Sequence, residues 1–299
     1  MLCIGISIVP GFLAEYDMTI SPAYRIANRV SGIIVIPARL PSSRLPRKLM
    51  LNDTGQPLLA YTIEQAQSAV AASQGLLREV IVACDDEQLI EVAEASGVRG
   101  VMTRDSHPNG TCRIAEAIQK IANTDDISFV LNVQGDQPEL QPEAMQQVVA
   151  DLIDHSDCDM ATAAVEYQKS ELPGERLFRD CSIADPNVVK VEFDSSGHAT
   201  DFWRQLTATN NRLLKTAPDR WYRHIGIYAY RTHFLQRFLA TPPSQREQQE
   251  SLEQLRALEM GAVIRVSLIT AERAGRAIDS PADYADFAER MRQRKAASQ

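Results

Sequence analysis

Short apolar, β-branched runs alternate with helical spacing through the first half of the chain. Ile33-Ile-Val-Ile36 reads as a buried strand, Leu58 to Val70 as a helix and Val80-Ile-Val-Ala83 as a second strand. A helix over Glu87 to Ala95 is ended by Gly97, Val101 marks a short third strand, and Ile114 to Ile121 is helical. Phe129-Val-Leu-Asn-Val133 is a further strand, and Pro142 to Ile153 a helix with proline in its first turn. Apolar strands alternating with helices predict a mostly parallel sheet covered on both faces.

The second half has a different rhythm. Strands are predicted at Asp159–Glu166, at Val188–Phe193 before a Ser195-Ser-Gly197 turn, at Ile225–Tyr230 and at Val263–Leu268. Glu247–Leu258 has the spacing of one amphipathic helix, and a terminal helix starts at Ser280 through Pro281. Residues 169–186 are polar and irregular, as an insertion or loop would be. The predicted architecture is a single α/β domain over 31–299 with a small strand-rich subdomain at about 156–231. Residues 1–30 read as a disordered extension or a start set too far upstream, with Met18 the alternative. Met1–Val9 is apolar but lacks the positive flank of a secretory signal.

Charge narrows the function classes. Thirty-one Lys and Arg against 39 Asp and Glu give a net charge of −8, without the large basic footprint that nucleic-acid binding needs. Five scattered cysteines without a CxxC pair argue against a disulfide framework or a zinc site and point to the reducing cytoplasm. No apolar run is long enough for a bilayer.

Two segments at predicted strand ends, where open α/β sheets bind ligands, carry the chemistry. The first runs from Pro37 and Ala38 through Arg39, Ser42, Arg44 and Arg47 to Lys48. Its cations, hydroxyls and backbone N–H groups suit a triphosphate, although a solvated basic loop has the same composition. The Walker glycines are missing. The second is Asn132-Val-Gln134-Gly135-Asp136-Gln137, where Asp136 is either a hard oxygen donor for Mg²⁺ or a turn cap. Asp279, before Ser280-Pro281, is either a second metal ligand or a helix cap.

These segments, with Met102–His107, Gly110-Thr-Cys-Arg113, Pro186–Lys190, His224–Arg231, Leu252–Arg256 and Asp279–Pro281, occur in family order. Together they resemble the 3-deoxy-D-manno-octulosonate (Kdo) cytidylyltransferases over residues 32 to 292. The resemblance implies a Rossmann-like nucleotidyltransferase fold, a cytoplasmic homodimer, and CMP transfer from CTP to Kdo for lipopolysaccharide synthesis. By position, Arg39, Ser42, Arg44 and Lys48 would hold CTP, Asn109 and Gly110 would lie near cytosine, and Asp136 and Asp279 would bind Mg²⁺. Arg113, Gln134, Arg204, His224, Tyr228, Glu253 and Gln254 would line the sugar site, with Arg113 and Arg204 on the sugar carboxylate. For His224 and Tyr228 the bland alternative is strand packing; for Glu253 and Gln254 it is a solvated helix face.

The departures fall mostly on the sugar side. Arg47 stands where the family usually has Gly, Cys112 and Gln137 where it usually has Glu, and residues 169–182 look inserted. Cys112, at a helix start beside Arg113, is expected to have a lowered thiol pKa. The alternatives are a cytidylyltransferase for another 2-keto acid sugar, such as an amino-Kdo or a sialic-type acid, and a non-catalytic nucleotide-binding relative.

Overall fold

The computed structural model describes residues 30–121, 126–168, 185–204 and 220–297. The expected N-terminal extension, apart from Val30, and the expected 169–182 insertion lie outside them.

The opening alternation folds as its spacing predicts. Strand β1 (Gly32–Ala38) leads to helix α1 (Leu58–Ala72), then β2 (Leu77–Cys84), α2 (Glu87–Ala95), β3 (Arg99–Met102), α3 (Gly110–Lys120), β4 (Phe129–Val133) and α4 (Pro142–Asp154). β1 to β4 pair in parallel, in the order β3-β2-β1-β4. Every residue of β4 is buried, as a central strand covered on both faces requires.

The later strands extend this sheet. β5 (Met160–Gln168), β8 (Arg220–Arg231) and β9 (Ile264–Leu268) continue it in the order β4-β8-β5-β9, with β8 antiparallel to both neighbours. Among the described strands, only the β6 (Lys190–Phe193) and β7 (Ala199–Trp203) hairpin leaves this path, joining β8 at Lys190 opposite Arg223. Among the described residues, then, the strand-rich region at 156–231 is mostly part of the main sheet. β7 was not predicted; its sequence Ala-Thr-Asp-Phe-Trp has no regular apolar run.

The expected helix over 247–258 is a correction. It is two helices, α6 (Gln245–Glu250) and α7 (Glu253–Glu259), following the unpredicted α5 (Thr232–Ala240). Ser251 adopts the left-handed conformation (φ 54°) and Leu252 an extended one, which ends α6. The break lets Leu252 bury, at 4% exposure, and a buried Arg256–Glu247 ion pair of 2.8 Å spans the two helices. The short α8 (Ala271–Ala274) and the terminal α9 (Pro281–Ala297) complete the described chain.

Helices cover both faces. One apolar cluster packs α1, α2 and α4 on the sheet, and the other packs α3, α5 and α7. A smaller third cluster, with Leu58, Ile278 and Phe287, seats α9 beside α1. Arg290 pins α9 to Glu139 at 2.6 Å. That brings Asp279, just before α9, over the carboxyl ends of β1 and β4.

Candidate active site

The nucleotide-like end forms where the loops after β1 and β4 meet the segment before α9. Thr62 of α1 donates to the Gly135 carbonyl at 3.0 Å, and Ile278 N–H donates to the Asp136 carbonyl at 2.9 Å. These bonds fix Asp136 and Asp279 side by side across 143 residues of sequence. Lys48 lies between them: its Nζ is 2.5 Å from Asp136 Oδ2, 3.1 Å from Asp279 Oδ1 and 3.1 Å from the Ile278 carbonyl. Arg44 reaches the same Asp279 oxygen at 2.9 Å. Burial pulls the Lys48 pKa down, but Asp136 and Asp279 outweigh it and hold the ammonium above its ordinary value.

The geometry removes the capping alternative for both carboxylates. Asp279 does not cap α9: Ser280 and Asp283 do, through Asp283 Oδ2 accepting from the Asp279 and Ser280 N–H groups at 3.1 and 2.7 Å. Asp136 spends its carboxylate on Lys48. Two carboxylates and a backbone carbonyl around one point form a hard oxygen donor set of the kind Mg²⁺ takes, so the residues present fit that ion.

The loop is anchored by a residue the sequence reading missed. Asp85, directly after β2, accepts from Leu40 N–H at 2.9 Å and, through its other oxygen, from Arg113 at 2.9 Å. Arg113 also donates to Thr103 at 2.7 Å. It is buried at 4% exposure and ties α3 to the loop. The only sequence signal for Asp85 was its position at a strand's carboxyl end. Arg39 is exposed and Ser42 half-buried on the same loop.

Arg47 is left-handed, with φ 53°, a conformation that favours glycine. Its side chain donates to Gln88 of α2. Asn109 caps α3 by accepting from Cys112 N–H at 2.9 Å. A side chain on Gly110 would crowd Pro37 at 3.2 Å. The expected acidification of Cys112 is corrected too: burial, with Glu253 nearby, pushes the thiol up.

Beside this end opens a cavity of about 360 Å³ lined by residues from β4, β8, α7 and the segment before β6. Gly110, Gln134, Arg204, His224, Tyr228, Glu253 and Gln254 all line it; Arg113 does not. His224 and Tyr228 project from one face of β8, with ring centroids 5.5 Å apart. His224 Nε2 lies 2.8 Å from Thr162 Oγ1. Burial, with Arg204 nearby, lowers its pKa to about 3 and keeps the ring neutral. Tyr228 donates to Gln254 Oε1 at 3.3 Å, and Gln134 donates to Asn132 at 2.9 Å. Gln254 is only 4% exposed, which excludes a solvated helix face. Burial raises the Glu253 carboxyl pKa.

Several polar atoms in this wall have no hydrogen-bond partner among the described residues: Gln137 Oε1, Glu253 Oε2, Gln254 Nε2 and Arg223 Nε. Leaving such groups unpaired costs about 1–3 kcal/mol each. Gln137 and Arg223 were not among the predicted site residues. Gly275 also lines the cavity; at φ 60°, a Cβ there would lie 2.4 Å from the Glu139 carbonyl. Lys190, fully buried, donates to the Asp185, Val188 and Arg204 carbonyls at 2.5, 2.8 and 3.0 Å, which fixes the wall that carries Arg204.

One further grouping, Asp157, Cys158 and His198, gathers within 4.8 Å away from this cavity. Burial raises the Cys158 thiol to about 11 and Arg265 and Arg231 lie nearby, surroundings that oppose a bound cation.

Comparison with known proteins gives one answer. A cytidylyltransferase family model matches residues 33–264. The chain is similar to a 3-deoxy-manno-octulosonate cytidylyltransferase of Xylella fastidiosa, 41% identical over 86% of this chain and 95% of that one. It is likewise similar to the enzyme of that name from Idiomarina loihiensis, 38% identical over 80% and 90%. Among solved structures, it resembles a CMP:2-keto-3-deoxy-manno-octonic acid synthetase complexed with CTP, with a TM-score of 0.73 and 32% identity over 88% of this chain and 99% of that one.

Proposed function

The chain belongs to the cytidylyltransferase family, among the 3-deoxy-manno-octulosonate enzymes, and from that premise we propose how its residues carry out the reaction. It is a nucleotidyltransferase that transfers CMP from CTP to Kdo, giving CMP-Kdo and pyrophosphate for lipopolysaccharide synthesis. The observation that carries the site reading is Lys48 held between Asp136 and Asp279, whose near neighbours in the chain, Gln137 and Ala277, line the polar cavity.

In this reading the basic loop binds the triphosphate: Arg39, Ser42, Arg44 and Lys48 meet the phosphates, while Pro37, Ala38, Asn109 and Gly110 shape the nucleoside side. Asp136 and Asp279 hold Mg²⁺, which supplies charge compensation at the phosphates when bound. The anomeric oxygen of the sugar attacks the α-phosphorus in line as the bond to pyrophosphate breaks, and the hydroxyl proton is lost to water. The protein's work is positioning and charge neutralisation. Gln134, His224, Tyr228, Glu253 and Gln254 orient the sugar's hydroxyls. Arg204 takes its carboxylate, and Arg223 replaces Arg113 as the second guanidinium at the cavity. A ring with a pKa of about 3 is a poor base near neutral pH, so His224 orients rather than deprotonates.

The cytoplasmic location and homodimer belong to the same proposal; no described helix is long and apolar enough to cross a membrane. The test is pyrophosphate release from CTP with Kdo, an amino-Kdo and a sialic-type acid. Fastest turnover with Kdo is expected. Preference for another sugar would move the acceptor assignment, and no release with any of them would remove the catalytic reading.

A further inference from the structure

The two carboxylates assigned to the metal do not stand free. Lys48 Nζ contacts Asp136 Oδ2 at 2.5 Å and Asp279 Oδ1 at 3.1 Å, and Arg44 shares that second oxygen at 2.9 Å. A cation bridging those same two oxygens would occupy the point the ammonium now fills. Two positive side chains against two negative ones also leave the cluster formally neutral, with little attraction for a further cation. Lys48 is only 15% exposed at its side chain and Asp136 25%, so water screens this exchange weakly.

We propose that Lys48 is the placeholder of the metal site, keeping a divalent cation out until a nucleotide's phosphates draw the ammonium away. The inference rests on the assignment of Asp136 and Asp279 as the metal pair and adds an order to it. A triphosphate arriving at the loop offers Lys48 and Arg44 better-matched anions. Their departure frees two carboxylates, and the phosphates add oxygen ligands of their own. Metal and nucleotide therefore bind as one cooperative unit, and by linkage each strengthens the other equally. A protein built this way holds no divalent cation at rest, so its pair of acidic groups stays neutralised without one.

The experiment is calorimetric titration of Mn²⁺ into the nucleotide-free protein, comparing wild type, Lys48→Met, and Lys48→Met with Asp136→Asn. Circular dichroism and melting confirm that each variant is folded. Wild type should bind Mn²⁺ weakly. Lys48→Met should bind it about tenfold or more tightly, because the competing charge is gone. Adding Asp136→Asn should remove that gain. A parallel titration of CTP into wild type should show tighter binding with Mn²⁺ present than without. Equal Mn²⁺ affinity in wild type and Lys48→Met would overturn the placeholder. A gain that survives Asp136→Asn would also overturn it, by placing the ion elsewhere. If Mn²⁺ leaves CTP affinity unchanged and neither protein binds it, the metal assignment itself falls, and the placeholder with it.

Discussion

The two halves of the site solve opposite problems with polar groups. At the nucleotide end most charges are already paired: Lys48 with Asp136 and Asp279, Arg44 with Asp279, Arg113 with Asp85. In the acceptor cavity Gln137, Glu253, Gln254 and Arg223 each leave a buried atom unpaired. The first arrangement is stable without ligand and exchanges partners when one arrives. The second carries a standing cost that a hydroxyl-rich, acidic ligand can offset. Removing a side chain should therefore cost stability in one half and substrate recognition in the other.

Arg113→Ala gives the largest contrast. It strands Asp85, whose side chain is 5% exposed, and breaking a buried pair costs about 3–5 kcal/mol. Unfolding in urea should show that loss, and the KM for CTP should rise because Leu40 loses its anchored partner. Unchanged stability with a steep rise in the acceptor's KM would return Arg113 to the sugar side.

Gln254→Leu should behave in the reverse way. It removes an unpaired Nε2 but also the 3.3 Å acceptor of the Tyr228 hydroxyl; the two effects oppose, so stability should change by less than about 1 kcal/mol. The acceptor's KM should rise about ten- to a hundredfold, corresponding to one or two lost ligand hydrogen bonds, with the KM for CTP unchanged. A parallel rise in both constants would merge the two halves.

How much of this was legible follows from how each half is built. The basic loop and the Asn132–Gln137 turn are contiguous, so their residue types and strand-end positions could be read directly. Asp85 and Arg113 are 28 residues apart, and no local pattern says that they meet. Gln254 seemed to lie on a continuous amphipathic helix. The break at Ser251, a left-handed residue other than glycine, is what starts α7 afresh and buries Gln254. The parallel pairing of β1 to β4 was readable from the first alternation; their order was not. The antiparallel β8 was not, since its neighbours are far away in sequence.

His224 tests the cavity's dryness. Its pKa is about 3 in the fold against 6.5 unfolded. Between those values the unfolded chain binds the extra proton, so this contribution is intact above pH 6.5 and lost as pH falls towards 3. From pH 7 to 5, wild type should lose about 2 kcal/mol more stability than His224→Gln, because each unit of the window is worth about 1.4 kcal/mol. Parallel urea midpoints for both proteins across that range would mean a wetter cavity than the buried ring indicates.

The smallest effect expected is at Arg47, and it marks the boundary of the nucleotide half. Arg47→Gly relieves a left-handed residue worth about 1–2 kcal/mol. It also loosens the unfolded chain by about 0.4–1 kcal/mol and gives up an exposed contact with Gln88 worth little. The net stability change should stay within about 1 kcal/mol, on the stabilising side. Because the guanidinium is turned to α2 and not to Asp136 or Asp279, the KM for CTP should change less than about twofold. A tenfold rise would show that Arg47 leaves Gln88 for the triphosphate. The loop would then hold four working cations, with its backbone strain offset by ligand binding.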